Sequence, residues 1–111
     1  MLHEKLRCYK RSIELSEEIS KEVARWPRGY SYLIDQMKRA MASVVLNMAK
    51  GNTRRSNTER RRFFEISRAS CAEVSACIDL IKAFNLSPQS KTEAFKTTLT
   101  EISKMLWGLM R

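Results

Sequence analysis

The sequence predicts an all-α protein, an up-down-up-down antiparallel four-helix bundle forming a single domain over residues 1–111. Three observations carry that expectation. Only three Gly and two Pro occur among 111 residues, too few for the turns of a sheet. The rest is rich in Ala, Leu, Glu, Lys, Arg and Met, which favour helix. Apolar residues recur at steps of three and four through four stretches separated by short breaks, the pattern of consecutive helices lying side by side.

The first helix is marked by Leu2, Leu6, Tyr9, Ile13, Ile19, Val23 and Trp26, with Ser16 filling the gap. It stops before Pro27, because a residue preceding proline is pushed out of helical geometry. "PRGYS" is the first loop. The second helix runs from Ser31 to Lys50. Its buried arc holds Leu33, Met37, Met41, Val44, Val45 and Met48, and Ala42, Leu46 and Ala49 widen that arc. Its polar sector holds Arg39, Ser43, Asn47 and Lys50. Gly51 suits a left-handed residue just past the helix end.

"GNTRRSN" is the second loop. Ser56-x-x-Glu59 is a capping box that opens the third helix. The buried face expected there is Phe63, Ile66, Val74, Cys77, Ile78, Ile81 and Phe84, with Ser67 and Ser70 small enough to let helices approach. The fourth helix starts at Ser87-Pro88 or one turn later at Ser90-x-x-Glu93. It buries Phe95, Leu99, Ile102, Leu106 and Leu109. Its end, "KMLWGLMR", is apolar on more than one side. With the wide arc of the second helix, that is more apolar surface than a lone bundle covers, so a homo-oligomer is expected.

Formal net charge is +9, of which residues 50–68 supply +5 through seven Lys/Arg and two Glu. Such an excess in a small domain points to a nucleic acid, an acidic protein or an anionic membrane as partner. The start "MLHEKLRCYKRS" lacks an apolar signal core and no stretch approaches ~20 apolar residues, so a cytoplasmic location is expected. Cys8, Cys71 and Cys77 are odd in number and lack C-x-x-C spacing, which predicts free thiols, Cys71 and Cys77 packed in the core.

Catalytic and metal chemistry has little to stand on. The lone histidine, His3, lies at the chain end, and no Glu-x-x-His exists for a di-metal bundle site. No phosphate-cradling glycine loop is present. Glu73 reads as a boundary carboxylate paired with Arg39 or Arg62. The expectation is a non-enzyme with no cofactor and no metal.

The basic run "KGNTRRSNTERRRFFE" therefore carries the functional reading. Arg54 and Arg55 sit on a loop, Arg61 and Arg68 one turn pair apart on the outer face of the third helix. Arg39 and Lys50 project from the polar sector of the second helix, and Arg62 completes the set. Arginines in the first turns of a helix oppose its dipole, a local cost that hints at another use. Phe63 and Phe64 fall on the expected core side, leaving no platform for base stacking. What remains is phosphate and shape recognition of structured RNA or duplex. The alternative is a scaffold whose arginines dock an acidic protein or bridge subunits. A membrane surface is disfavoured, because the basic run lacks an adjacent exposed apolar face.

The stretch "QMKRAMASVVLNMAKGNTRRSNTERRRFFEISRASCAEVSACIDL" resembles the central signature of the four-helix-bundle family encoded in 23S rRNA intervening sequences. The matching elements are Arg39-Ala40, Ser43, Asn47-x-Ala49-x-Gly51, Arg54-Arg55-Ser56, and Phe63…Ile66…Ser70…Glu73. The resemblance implies a four-helix bundle, commonly a ring-like homopentamer, without enzyme activity. A related branch, the accessory variability proteins of diversity-generating retroelements, binds a reverse transcriptase and its structured RNA through basic surfaces. Lys50 departs from the pattern: it stands where the family usually has Glu, making this corner more basic.

Overall fold

The computed structural model describes residues 2–111. Four helices run α1 Leu2–Val23, α2 Ser31–Thr53, α3 Asn57–Ala83 and α4 Gln89–Met110. Each packs on its chain neighbours, and α1 closes against α4, giving an antiparallel bundle 45 Å long. One end holds the α2–α3 loop and the outer tips of α1 and α4. The other holds the α1–α2 and α3–α4 loops, tied together where the Trp26 indole N–H donates to the Ser87 hydroxyl at 2.9 Å.

The closest seam is α2–α3, and small residues make it so. The Ser67 hydroxyl donates to the Val44 carbonyl at 2.7 Å, and the Ser70 hydroxyl to that of Ser43 at 2.7 Å. Such contacts need backbones nearly touching. Gly51 serves the same seam and corrects the expected left-handed cap. It is helical and buried, and α2 continues past it to Thr53. A Cβ there would lie 2.5 Å from Cε1 of Phe64, whose ring is fully buried. The glycine is required by that ring, not by a turn. The α2–α3 connection consequently shrinks to residues 54–56, from the longer loop expected.

Two buried faces are also rotated from expectation. On α1 the core takes Cys8, Ser12, Leu15, Ile19 and Val23, while Leu2 and Leu6 are 71% and 61% exposed. On α3 it takes Phe64, Ser67, Ser70, Cys71, Val74, Ile78 and Ile81, leaving Phe63 and Cys77 half-buried and Ile66 and Phe84 exposed. The reason is common to both. Serines and cysteines line the seams where helices come closest, so larger apolar neighbours are displaced outward. The α4 face is as expected.

The caps follow local chemistry. Ser56 accepts from the Glu59 N–H at 3.3 Å, one half of the expected capping box. At the α3 C-terminus Asn85 adopts φ 54°, and the Leu86 N–H bonds the Ile81 carbonyl at 3.0 Å, closing a Schellman turn. At α4 the Ser87 hydroxyl is taken by Trp26, so Pro88 rather than Ser87 stands as the N-cap, and Gln89 bonds Glu93.

Candidate nucleic-acid interface

Folding sorts the charge. Cutting every helix at its midpoint divides the rod into two halves. The half bearing the α2–α3 loop comprises residues 2–12, 43–70 and 100–111, with thirteen Lys/Arg and four acids. The other half, residues 13–42 and 71–99, holds eight of each. The whole net charge of +9 thus lies at one end. Three separate chain segments contribute to it, and they include Lys5, Arg7, Lys10, Arg11, Lys104 and Arg111, none of which the basic run contains.

The loop at this end is built by Arg60. Its guanidinium donates to the carbonyls of Arg54 at 3.2 Å and Arg55 at 3.4 Å, and to Oδ1 of Asn57 at 3.1 Å. Arg60 is a staple, and sequence reasoning missed it. Its effect is to fix the short extended link from which Arg54 and Arg55 project.

The seven candidate residues separate into groups. Lys50, Arg54 and Arg62 surround the half-buried Phe63 ring, with their charged groups 5.9, 4.8 and 6.0 Å from its centroid. Arg55 is exposed on the adjoining link. Arg61 and Arg68 lie on the other flank of α3, against α4. Arg61 donates to the Met110 carbonyl at 2.8 Å. Arg68 donates to the Ser103 hydroxyl at 3.2 Å and covers the Trp107 ring at 5.2 Å. Arg39 joins neither. It sits three turns up α2, about 16 Å from Lys50 along the axis, and pairs with Asp35 at 3.0 Å.

Glu73 is exposed and, among the described residues, makes no ion pair, contrary to the pairing expected with Arg39 or Arg62. The buried carboxylate is Glu22 instead. The basic half also carries exposed apolar side chains, Leu2, Leu6, Leu46 and Trp107. Of these, Leu46 lies one turn before Lys50 and Trp107 lies under Arg68, so the basic surface does have exposed apolar neighbours.

A shallow groove of about 640 Å³ runs between α3 and α4, lined by Arg68, Lys96 and Lys104 with Ser75, Thr100 and Ser103. Lys96 is occupied by Asp79 at 2.7 Å and Ser75 at 2.8 Å. All three cysteines are free. Burial pushes the Cys8 and Cys71 thiols up to about 12, and raises Cys77 less. Such thiols are poor nucleophiles. Among the described residues no cluster of His, Cys, Asp and Glu could hold a metal, and no helix is long and apolar enough to cross a membrane.

Comparison with known proteins agrees with this architecture. A crystal structure of a protein of unknown function, from the S23 ribosomal protein family of Bacteroides thetaiotaomicron VPI-5482, matches with a TM-score of 0.81. The match covers 96% of this chain and 97% of that one at 15% identity, a likeness of fold. No curated protein sequence matches. The model of the 23S rRNA-intervening sequence protein family matches residues 4–108. The chain, over nearly its whole length, is a member of the 23S rRNA-intervening sequence protein family.

Proposed function

We propose that this protein is a non-enzymatic, oligomeric accessory protein that holds structured RNA by phosphate contacts at its basic end. The observation that carries the reading is the concentration of the full +9 in one half of the rod. A polyanion approaching end-on meets a one-sided field, which raises encounter rates and favours phosphate contact over specific partners. Family membership supports RNA as the polyanion. The buried, protonated thiols of Cys8 and Cys71 support a binding role over catalysis. A reverse transcriptase as the user of the bound RNA rests on the resemblance to retroelement accessory proteins alone.

The test is fluorescence anisotropy with a folded RNA at two salt concentrations. Binding should weaken steeply as salt rises, and each phosphate-contacting residue removed should lower the salt slope by roughly one. Lys50, Arg54, Arg55 and Arg62 are the residues to change to Gln. Arg61 and Arg68 also anchor α4, so their loss would confuse binding with folding. Failure of the wild type to bind RNA at low salt would sink the reading.

A second reading, a scaffold that meets protein, is favoured by the exposed apolar row Leu2, Leu6 and Tyr9 on α1. Spacing of four and three puts these on one helical stripe outside the core. The same stripe serves the oligomer in the first reading. Light scattering should give a multiple of 12.9 kDa, five under the family-implied ring, and Leu6→Lys should lower it. A monomer at micromolar concentration removes both the oligomer and the stripe's role.

A further inference from the structure

Phe63 is placed unlike any other aromatic in the chain. It lies on the α2-facing flank of α3, half-buried, and three cations from two helices and the link converge on it. The Arg54 guanidinium is nearest, 4.8 Å from the ring centroid. Among the described residues, none of Lys50, Arg54 and Arg62 has a carboxylate within ion-pairing distance. Three cations outside the cluster do have a carboxylate, Arg11 with Glu101, Arg39 with Asp35 and Lys96 with Asp79. One ring cannot satisfy three positive charges that repel each other, so the cluster lacks an anion.

The surrounding surface is apolar as well as cationic. Leu46 lies one turn before Lys50 on α2, and Ile66 one turn after Phe63 on α3, and they are 59% and 38% exposed. The phosphates of a paired helix would use the charges and leave this apolar surface wet. An unpaired nucleotide would use both. Its base can stack on an aromatic ring or on a guanidinium plane, and its flanking phosphates reach the cations.

We infer that Phe63, framed by Lys50, Arg54 and Arg62, is a stacking site for one unpaired base of a bound RNA. This deepens the phosphate-binding reading and rests on it. The Arg60 staple gives the site its stiffness, since it holds the link carrying Arg54 by two backbone carbonyls. The site needs no base-specific hydrogen bond, so any base fits it.

The experiment compares two RNAs with equal numbers of phosphates, a hairpin with an eight-nucleotide unpaired loop and a blunt duplex, by anisotropy at one low salt concentration. The wild type should prefer the hairpin. Phe63→Leu should reduce hairpin affinity about tenfold, the scale of losing one stacked base, and leave duplex affinity unchanged. Phe63→Tyr should restore the preference. Equal binding of both RNAs, or a hairpin preference that Phe63→Leu leaves intact, overturns the stacking site and leaves the phosphate reading standing. No binding of either RNA overturns both. Retained duplex affinity shows that Phe63→Leu is folded, and the wild-type hairpin-to-duplex comparison needs no variant. Photocrosslinking to a hairpin with 4-thiouridine in the loop should place the adduct on the peptide containing Phe63. An adduct confined to other peptides overturns the site.

Discussion

The two halves of the rod hold almost the same amount of charge and use it in opposite ways. The half with the α2–α3 loop has seventeen charged side chains and the other sixteen. In the far half the signs balance, and two of its cations pair directly, Arg39 with Asp35 and Lys96 with Asp79. In the near half thirteen cations face four acids; Arg11 pairs with Glu101, while Arg54, Arg60, Arg61 and Arg68 turn to carbonyls, hydroxyls and rings. The difference teaches that charged-residue content says little about function until folding has placed the signs. It also shows where rigidity is needed. The near half contains a close backbone-to-ring approach, Gly51 against Phe64, next in sequence to Lys50 and Phe63.

The largest effect is expected at that contact. Phe64→Ala empties a fully buried site and should cost about 4 kcal/mol. Gly51→Ala drives a Cβ into the ring and should cost about 2 kcal/mol despite alanine's better helix propensity. In the double variant the clash disappears, so it should be no less stable than Phe64→Ala alone. Additive losses in denaturant melts would show that the two residues do not meet.

The fold was legible because all four amphipathic periods and the caps at Ser56 and near Pro88 are local signals. The rotated faces of α1 and α3 were not. Periodicity ranks Leu2 or Phe63 above Cys8 or Ser67 by hydrophobicity, while seam packing selects by size. Gly51 shows the same limit: its glycine character was visible, but the partner ring thirteen residues away was not. At the candidate site the residue types of the basic run could be read. Its division around α3 could not, because it depends on which flank of one helix each arginine occupies. The full charge asymmetry needed the topology, since it is assembled from both chain ends and the middle.

A smaller effect tests how the near half holds its arginines. Arg60→Ala removes three hydrogen bonds from one guanidinium, on an exposed link where solvent replaces part of the loss. A cost of about 1.5 kcal/mol is expected. RNA affinity should fall by more than one lost charge explains, because Arg54 and Arg55 lose their fixed placement. If affinity drops no further than for Arg55→Gln, the staple is irrelevant to binding.

The buried thiols report on both halves at a finer scale. Cys8 and Cys71 are raised from 9.0 to about 12, burial being the main cause; at Cys71 the neighbouring Cys8 also raises the thiol and Arg68 lowers it. A folded-state value above the unfolded one means the folded state prefers the protonated thiol. That contribution is complete below pH 9 and is lost as pH rises toward 12. By linkage each thiol should withdraw about 1 kcal/mol at pH 10. The double variant Cys8→Ala/Cys71→Ala should show a flatter alkaline loss of stability than wild type. At pH 8 a thiol reagent should label half-buried Cys77 first. Rapid labelling of Cys8 or Cys71 in the native protein would mean the core opens more easily than its packing allows.

The smallest effect makes the sharpest test of the two halves. Arg39 belongs to the family-like signature and stood among the candidate contacts, yet it lies in the balanced half and is paired with Asp35, four residues earlier on the same helix. An exposed pair of this kind contributes only about 0.3–0.5 kcal/mol. Arg39→Gln should therefore change stability by less than about 0.5 kcal/mol. It should leave RNA affinity and the salt slope within error of wild type. Lys50→Gln, on the same helix but in the unpaired cluster, should lower both. A loss of RNA binding from Arg39→Gln equal to that from Lys50→Gln would break the comparison. It would mean that the binding surface extends along α2 into the balanced half, and that the Asp35 pair opens when RNA arrives.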